Sequence, residues 1–367
     1  MTTTLPIAKE AHRVSPEWVR ISMASAIALG YRSGRFTRDF EFGGINLLLD
    51  YTEGCLSDCA YCGLARTRPG SYDDKSFIRV EWPLVNTDDF VDCMAARRDK
   101  LTRICISMVT HGRSYRDTLD ITRRITSHVD TPLSILVAPP TLNRERLVSF
   151  KDAGVDMIGI GLDAVTRELF RELRTDVPHG GLKWDQYWEI VGHARDIFGP
   201  WKVNCHTLVG IGETDRELVD TFFRLREREI FSYLFSFNPE PQSRLGNAPR
   251  APLGRWRRIQ LVKYLIETEG MDASLCEFDA AGALVRLDLS RERVNDAIWK
   301  GEAFMTNGCP GPKGEPGCTR PYGSYRPTEP FRDFPFLPIA DDRIGIVAEL
   351  RLDELLPHEP RAPAAPS

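Results

Sequence analysis

The chain has 367 residues, 48 Lys+Arg against 52 Asp+Glu, and a formal net charge of −4. That balance gives no footing to a protein that lives on nucleic-acid phosphates, and a composition 42% hydrophobic and 27% charged excludes a disordered chain. No run approaches the roughly 18 apolar residues that span a bilayer, and the N-terminal stretch lacks the apolar core of a signal peptide, so the sequence predicts a cytoplasmic protein without nucleic-acid or membrane partners.

In chain order, residues 1–40 read as an N-terminal helical segment, with Pro16–Leu29 as its helix or helices. Six short apolar runs bounded by turn residues follow: Gly44–Thr52, Arg103–Val109, Leu133–Ala138, Met157–Leu162, Val203–Val209 and Ser232–Phe237. They have the texture of buried parallel strands. Amphipathic stretches alternate with them: Asp88–Lys100, Tyr115–His128, Asn143–Ala153, Val165–Leu173 with Trp184–Phe198, Asp215–Glu229 and Arg255–Glu269. Six strand–helix units in succession predict an α/β fold with right-handed crossovers. An open doubly wound sheet and a barrel are both compatible; a stop after six units favours a partial (β/α)6 TIM-type barrel over residues 41–270. In either form ligands bind at the carboxyl ends of the strands. Residues 271–356 then read as a Pro/Gly/Cys-rich C-terminal extension, and 357–367 as a frayed Pro/Ala-rich tail.

Nine cysteines are many for a reducing compartment, where metal or redox chemistry is the better explanation than disulfides. Three crowd into Gly54-Cys55-Leu-Ser-Asp-Cys59-Ala-Tyr61-Cys62-Gly63, a C-x3-C-x2-C loop directly after the first strand of the alternating series. Three thiolates on one loop can each take a corner iron of a 4Fe–4S cluster, leaving the fourth iron open. A structural zinc site is the alternative, but it wants four ligands, usually in two pairs. A Cys59/Cys62 redox pair would leave Cys55 without a role.

The loop, including the aromatic Tyr61, resembles the signature of radical S-adenosylmethionine (SAM) enzymes, and the resemblance extends over the barrel from about Asn46 to Phe237. It implies an open iron that chelates the amino and carboxylate groups of S-adenosylmethionine. Reductive cleavage then gives methionine and a 5′-deoxyadenosyl radical, which abstracts an unactivated hydrogen. Carried onto this chain, the resemblance places Asp163 on the ribose, Arg174 near the methionine carboxylate and Ile211, in the turn Val209–Thr214, against adenine. Family members often have Gly-Gly-Glu after the second strand; Ser107-Met108-Val109-Thr110-His111 stands here, so Thr110 or backbone carbonyls take over the methionine amino group. His111 is a further catalytic candidate, against a structural role in its loop.

The chain is most similar to the biotin synthase and lipoyl synthase branch, closest to the two-component lipoyl synthases, on Leu253-Gly254-Arg255-Trp256-Arg257-Arg258-Ile259-Gln260 and the Gly308-Cys309-Pro310…Cys318-Thr319-Arg320-Pro321-Tyr322 segment. Biotin synthase holds a second cluster on strand cysteines. Cys105 matches one of these, but the third strand has no cysteine and Cys205 is one residue out of register with Asn204, so that cluster is not expected in its usual form. Instead Cys276, Cys309 and Cys318, with Ser324 or Arg320 as a fourth ligand, are assigned to an auxiliary iron–sulfur cluster; three unrelated thiols or a zinc site are the alternatives. The resemblance implies sulfur insertion into a protein-bound octanoyl group. It brings as partners an octanoylated carrier (a lipoyl domain), a ferredoxin- or flavodoxin-like reductant and a second radical SAM subunit. A different radical reaction on a small metabolite, and a non-catalytic iron–sulfur or zinc scaffold, are the competing readings.

Overall fold

The computed structural model describes residues 13–320 and 329–356. Its centre is an eight-stranded sheet in the order β3-β1-β2-β4-β5-β6-β7-β8. The six expected strands form its parallel part: β2 (Gly44–Leu49), β4 (Arg103–Ser107), β5 (Leu133–Val137), β6 (Met157–Asp163), β7 (Val203–Val209) and β8 (Phe231–Ser236). Every residue of β2 is buried, as befits a strand covered on both faces. The crossover helices have the expected places, among them Ser114–Thr126, Trp184–Phe198 and Asp215–Arg226. The last starts at a capping box, in which Thr214 and Glu217 satisfy each other's backbone N–H groups.

The N-terminal segment departs from expectation. Pro16–Leu29 is not one helical stretch: Trp18–Ile21 forms β1, and only Met23–Ala28 is helical, started by Ser22, whose hydroxyl accepts from Ser25 N–H. Trp-Val-Arg-Ile is β-prone, and β1 pairs antiparallel with both β2 and β3 (Leu84–Asn86), burying Val19 and Ile21 completely. The sheet therefore gains two antiparallel strands that the alternating pattern did not announce.

The C-terminal extension makes two structures. One is a second core around the helix Leu253–Glu267, whose fully buried Trp256 donates its indole N–H to Arg332 O at 2.7 Å. It includes the two-stranded sheet of β9 (Cys276–Phe278) and β10 (Leu284–Leu287) and the helices Arg291–Lys300 and Ala340–Leu350. The other is a tight hairpin between Cys309 and Cys318, closed by Cys318 N–H to Cys309 O at 3.0 Å and by a Pro310–Pro316 bridge. The hairpin docks on the amino ends of the parallel strands. Thr102 Oγ1 donates to Gly317 O at 3.0 Å and Arg103 Nε donates to Pro310 O at 2.7 Å. Gly44 must lack a side chain there, because a Cβ would lie 2.4 Å from Gly317 O.

Candidate active site

Side chains alternate along each parallel strand, and one set points into the barrel. Leu48, Ser107, Leu136, Gly161, His206 and Phe235 form a layer that lines a cavity opening at the carboxyl ends. The cavity holds about 1320 Å³ of open space, its mouth to solvent included.

Cys55, Cys59 and Cys62 all line this cavity, on the loop that leaves β2. The loop's shape is fixed by backbone bonds to its surroundings: Leu56 N–H to Thr110 O at 2.8 Å, Ala60 N–H to Leu173 O at 2.9 Å, and Leu245 N–H to Ala60 O at 2.9 Å. Inside the loop, buried Asp58 accepts from Thr67 N–H at 2.9 Å and from its hydroxyl at 2.7 Å. Burial raises the Cys62 thiol well above its ordinary range, and Cys59 and Cys55 add to the effect. Burial likewise raises Cys55, opposed by hydrogen bonds from Ser57 and Thr110. Thiols so placed lose their protons when a cationic centre compensates the thiolates. Among the described residues no three His, Cys, Asp or Glu side chains converge as ligands of one metal ion would. A cubane gives each thiolate its own iron, so its ligands stand further apart than those around one zinc.

Opposite the loop lies a polar set at the end of β6. Tyr61 donates its hydroxyl to Asp163 Oδ2 at 2.6 Å. Arg174, also buried, lies 3.7 Å from Asp163 Oδ2 and donates to Gly161 O at 2.6 Å, Leu162 O at 3.0 Å and the Tyr187 hydroxyl at 2.8 Å. Its Nε is buried without a partner. Burial, partly offset by Arg174, holds the Tyr61 phenol well above its ordinary range, so it remains a donor.

The structure places some of the sequence-predicted residues on the cavity wall and others away from it. Tyr61, Thr110, Asp163 and Arg174 join the three cysteines on the cavity wall. Ile211 does not: it is buried outside the lining, in a turn whose Gly210 and Ile211 N–H groups both donate to Glu213, at 2.8 and 2.9 Å. His111 is also off the lining, stacked on Tyr51 with ring centroids 3.9 Å apart and accepting from Arg113 N–H at 3.2 Å, which is a structural role. Cys276 begins β9, opposite Leu287, against the second core. Ser324 lies outside the described residues. Cys309 and Cys318 meet inside the barrel, but their companion there is Cys105 rather than Cys276. Burial holds Cys105 up to about 11, with Cys318 adding to the rise. Cys309 stands at about 12, again from burial, with Cys105 and Cys318 both contributing. Cys205, fully buried on the other face of β7, has none of these thiols among the groups that act on it.

Tyr187, His206 and Glu240 are lining residues that were not foreseen, and Arg320, named only as a possible fourth ligand of the auxiliary cluster, lines the cavity as well. Glu240 accepts from the Ser76 hydroxyl at 2.8 Å and from Arg79 N–H at 2.7 Å, tying the cysteine loop's exit to the segment after β8. No local pattern marks it. His206 was visible as the residue two beyond Asn204 on the same strand face.

Comparison with known proteins agrees with this geometry. Residues 49–225 match the Radical SAM superfamily, a span that begins at the end of β2 and includes all three loop cysteines. The chain carries a radical SAM domain. It is 24% identical over 287 residues to biotin synthase of Cupriavidus pinatubonensis, covering 72% of this chain and 74% of that protein. It is 25% identical over 255 residues to biotin synthase of Nitrosomonas eutropha, covering 68% and 64%. Among solved structures, methylornithine synthase superposes with a TM-score of 0.50 at 12% identity, over 92% of this chain and 87% of that one, which supports the partial-barrel fold.

The radical SAM family implies a 4Fe–4S cluster and S-adenosylmethionine, and the residues present fit both. Cys55, Cys59 and Cys62 would hold the cluster. Arg174 Nε, a buried donor without a partner, suits a carboxylate, and Asp163 with Tyr61 suits ribose hydroxyls. When bound, the pair supplies radical hydrogen abstraction; the protein's share is to place, orient and shield. Leu48, Val109, Leu136, Val137 and Phe237 give the centre an apolar wall.

Proposed function

We propose that this chain is a sulfur-inserting radical SAM enzyme that works on octanoyl groups attached to a carrier protein, in the manner of the two-component lipoyl synthases. The observation that carries the reading is a single barrel interior with two gatherings of thiols: Cys55, Cys59 and Cys62 at the carboxyl ends of the strands, and Cys105, Cys309 and Cys318 deeper inside. Hydrogen abstraction needs one metal centre; adding sulfur to the resulting carbon needs a source of sulfide, and a second iron–sulfur centre is one. The similarity to biotin synthases supports sulfur insertion as the reaction class. A mouth at the carboxyl ends, lined largely by apolar side chains, suits an acyl chain presented by a carrier. An octanoylated lipoyl domain is the substrate partner in this account, a ferredoxin- or flavodoxin-like protein the electron donor, and a second radical SAM subunit the partner for the other carbon.

The test is an anaerobic reaction with dithionite, S-adenosylmethionine and octanoylated lipoyl domain, followed by mass spectrometry of the carrier. The expected result is carrier that has lost hydrogen and gained sulfur. Formation of 5′-deoxyadenosine with no sulfur on the carrier would favour a radical reaction on a small metabolite instead. Absence of any S-adenosylmethionine cleavage would leave a non-catalytic scaffold.

A further inference from the structure

Two of the three inner thiols come from the C-terminal hairpin and one from the barrel wall. Cys105 is on β4, in register with Asn46 of β2 on one side and Ser134 of β5 on the other. Cys309 Sγ lies 3.6 Å from Asn204 Nδ2, and Cys318 Sγ lies 3.6 Å from Asn46 Oδ1. Ser134, in register with Cys105, donates its hydroxyl to Ile104 O at 3.3 Å and opposes the rise of both the Cys105 and the Cys309 thiol. Thus the inward positions of β5 and β7 carry Ser134 and Asn204, neither of them a thiol, and the hairpin brings in the two missing sulfurs from below.

The surroundings are built for negative charge. Arg103, 2% exposed, is held by Asp156 at 2.5 Å and by Pro310 O, and acts on both Cys105 and Cys309. Arg320, two residues after Cys318 and 7% exposed, faces Cys105 and donates to Ser107 Oγ at 3.3 Å. No carboxylate pairs with Arg320 among the described residues. Burying an unmatched guanidinium is expensive unless an anion comes to it. Asn204 Oδ1 and Thr319 Oγ1 are also buried without partners beside these thiols. Ser107 and His206, each two residues further along their strands than Cys105 and Asn204, line the cavity. The site therefore lies one layer beneath the cavity floor, towards the amino ends of the strands.

We propose that Cys105, Cys309 and Cys318 hold a second iron–sulfur cluster inside the barrel, with Arg103 and Arg320 as its counter-charges, and that Cys276 takes no part. The site is argued from its own geometry; only its use as a sulfur source rests on the sulfur-insertion reading. The hairpin is then a structural half of the metal site, which is why a Gly/Pro-rich loop far along the chain is docked into the barrel.

The test is iron and sulfide content after anaerobic reconstitution, read with electron paramagnetic resonance. A background lacking the first centre (C55A/C59A/C62A) isolates the second. That background should retain roughly four irons if the second cluster is a cube, and adding C105A, C309A or C318A should bring it near zero, while adding C276A leaves it unchanged. In the otherwise wild-type chain, C309A should keep roughly four irons and still cleave S-adenosylmethionine, which separates loss of the site from loss of the fold. The proposal is overturned if the triad-free background holds no iron, or if its iron survives C105A or is lost with C276A. Intact second-site iron in a protein that adds no sulfur to the carrier supports the site and removes the sulfur-insertion reading alone.

Discussion

Asp163 has a left-handed backbone, φ 61°, a conformation that aspartate tolerates better than most residues. The turn aims its carboxylate at Tyr61 rather than along the strand, and Arg174 braces it through the carbonyls of Gly161 and Leu162. Replacing Asp163 with Asn removes a charge-assisted hydrogen bond worth about 1.5–3 kcal/mol. Asp163→Asn should weaken S-adenosylmethionine binding roughly 10- to 150-fold with unchanged iron content, measured by equilibrium binding to the reconstituted protein. A buried pair stands at the end of β2, just before the cysteine loop: Arg20 Nε donates to Asp50 Oδ1 at 2.8 Å. Breaking a buried pair costs about 3–5 kcal/mol, so Arg20→Met should lower unfolding stability by that amount in denaturant titration. At this scale the sequence was legible where chemistry is local. The cysteine loop, Tyr61 and Asp163 were all found in short motifs. Tyr187 and Glu240 were not, because each is defined by a tertiary partner, Arg174 in one case and the Ser76–Arg79 segment in the other.

At the scale of elements, the six parallel strands were readable because buried strands are short apolar runs between turns. β1 was missed because Trp18–Ile21 runs straight into a real helix through Ser22, and only pairing with β2 and β3 makes it a strand. Strand register was equally informative: Asn204 faces inward and Cys205 outward, as period-two alternation requires. The hairpin's contact with Cys105 had no sequence signal, because it joins residues more than two hundred positions apart; the crowding of Cys309 and Cys318 about a Gly/Pro turn was the only hint. Packing at the hairpin's base is tight. A Cβ on Gly308 would sit 2.0 Å from Cys318 O, so Gly308→Ala should displace the hairpin. The expected outcome is loss of the second centre's iron, with the first centre's iron and S-adenosylmethionine cleavage retained, measured by iron analysis and 5′-deoxyadenosine formation. The turn after β7 is fixed differently, by Glu213 bonded to two backbone N–H groups and to Arg255 at 2.9 Å. That clamp explains why Ile211 is buried instead of facing the cavity.

For the whole molecule, the barrel works as a container with chemistry at one end and a plug at the other. The carboxyl ends carry the cysteine loop and the Asp163–Tyr61–Arg174 set; the amino ends are filled by the hairpin, tied down through Thr102 and Arg103. The second core, centred on Trp256, packs the helix Leu253–Glu267 against the extension, keeping the chain that supplies the hairpin next to the barrel. No helix among the described residues is long and apolar enough to cross a membrane. The central claim is that Cys55, Cys59 and Cys62 hold a cluster with one iron open to S-adenosylmethionine. Its most direct test is to reduce the anaerobically reconstituted protein with dithionite, add S-adenosylmethionine, and measure 5′-deoxyadenosine and methionine by chromatography. The wild-type chain should form both in equal amounts and the Cys59→Ala variant neither; a wild-type protein that binds zinc on these three cysteines and forms no 5′-deoxyadenosine would contradict the account.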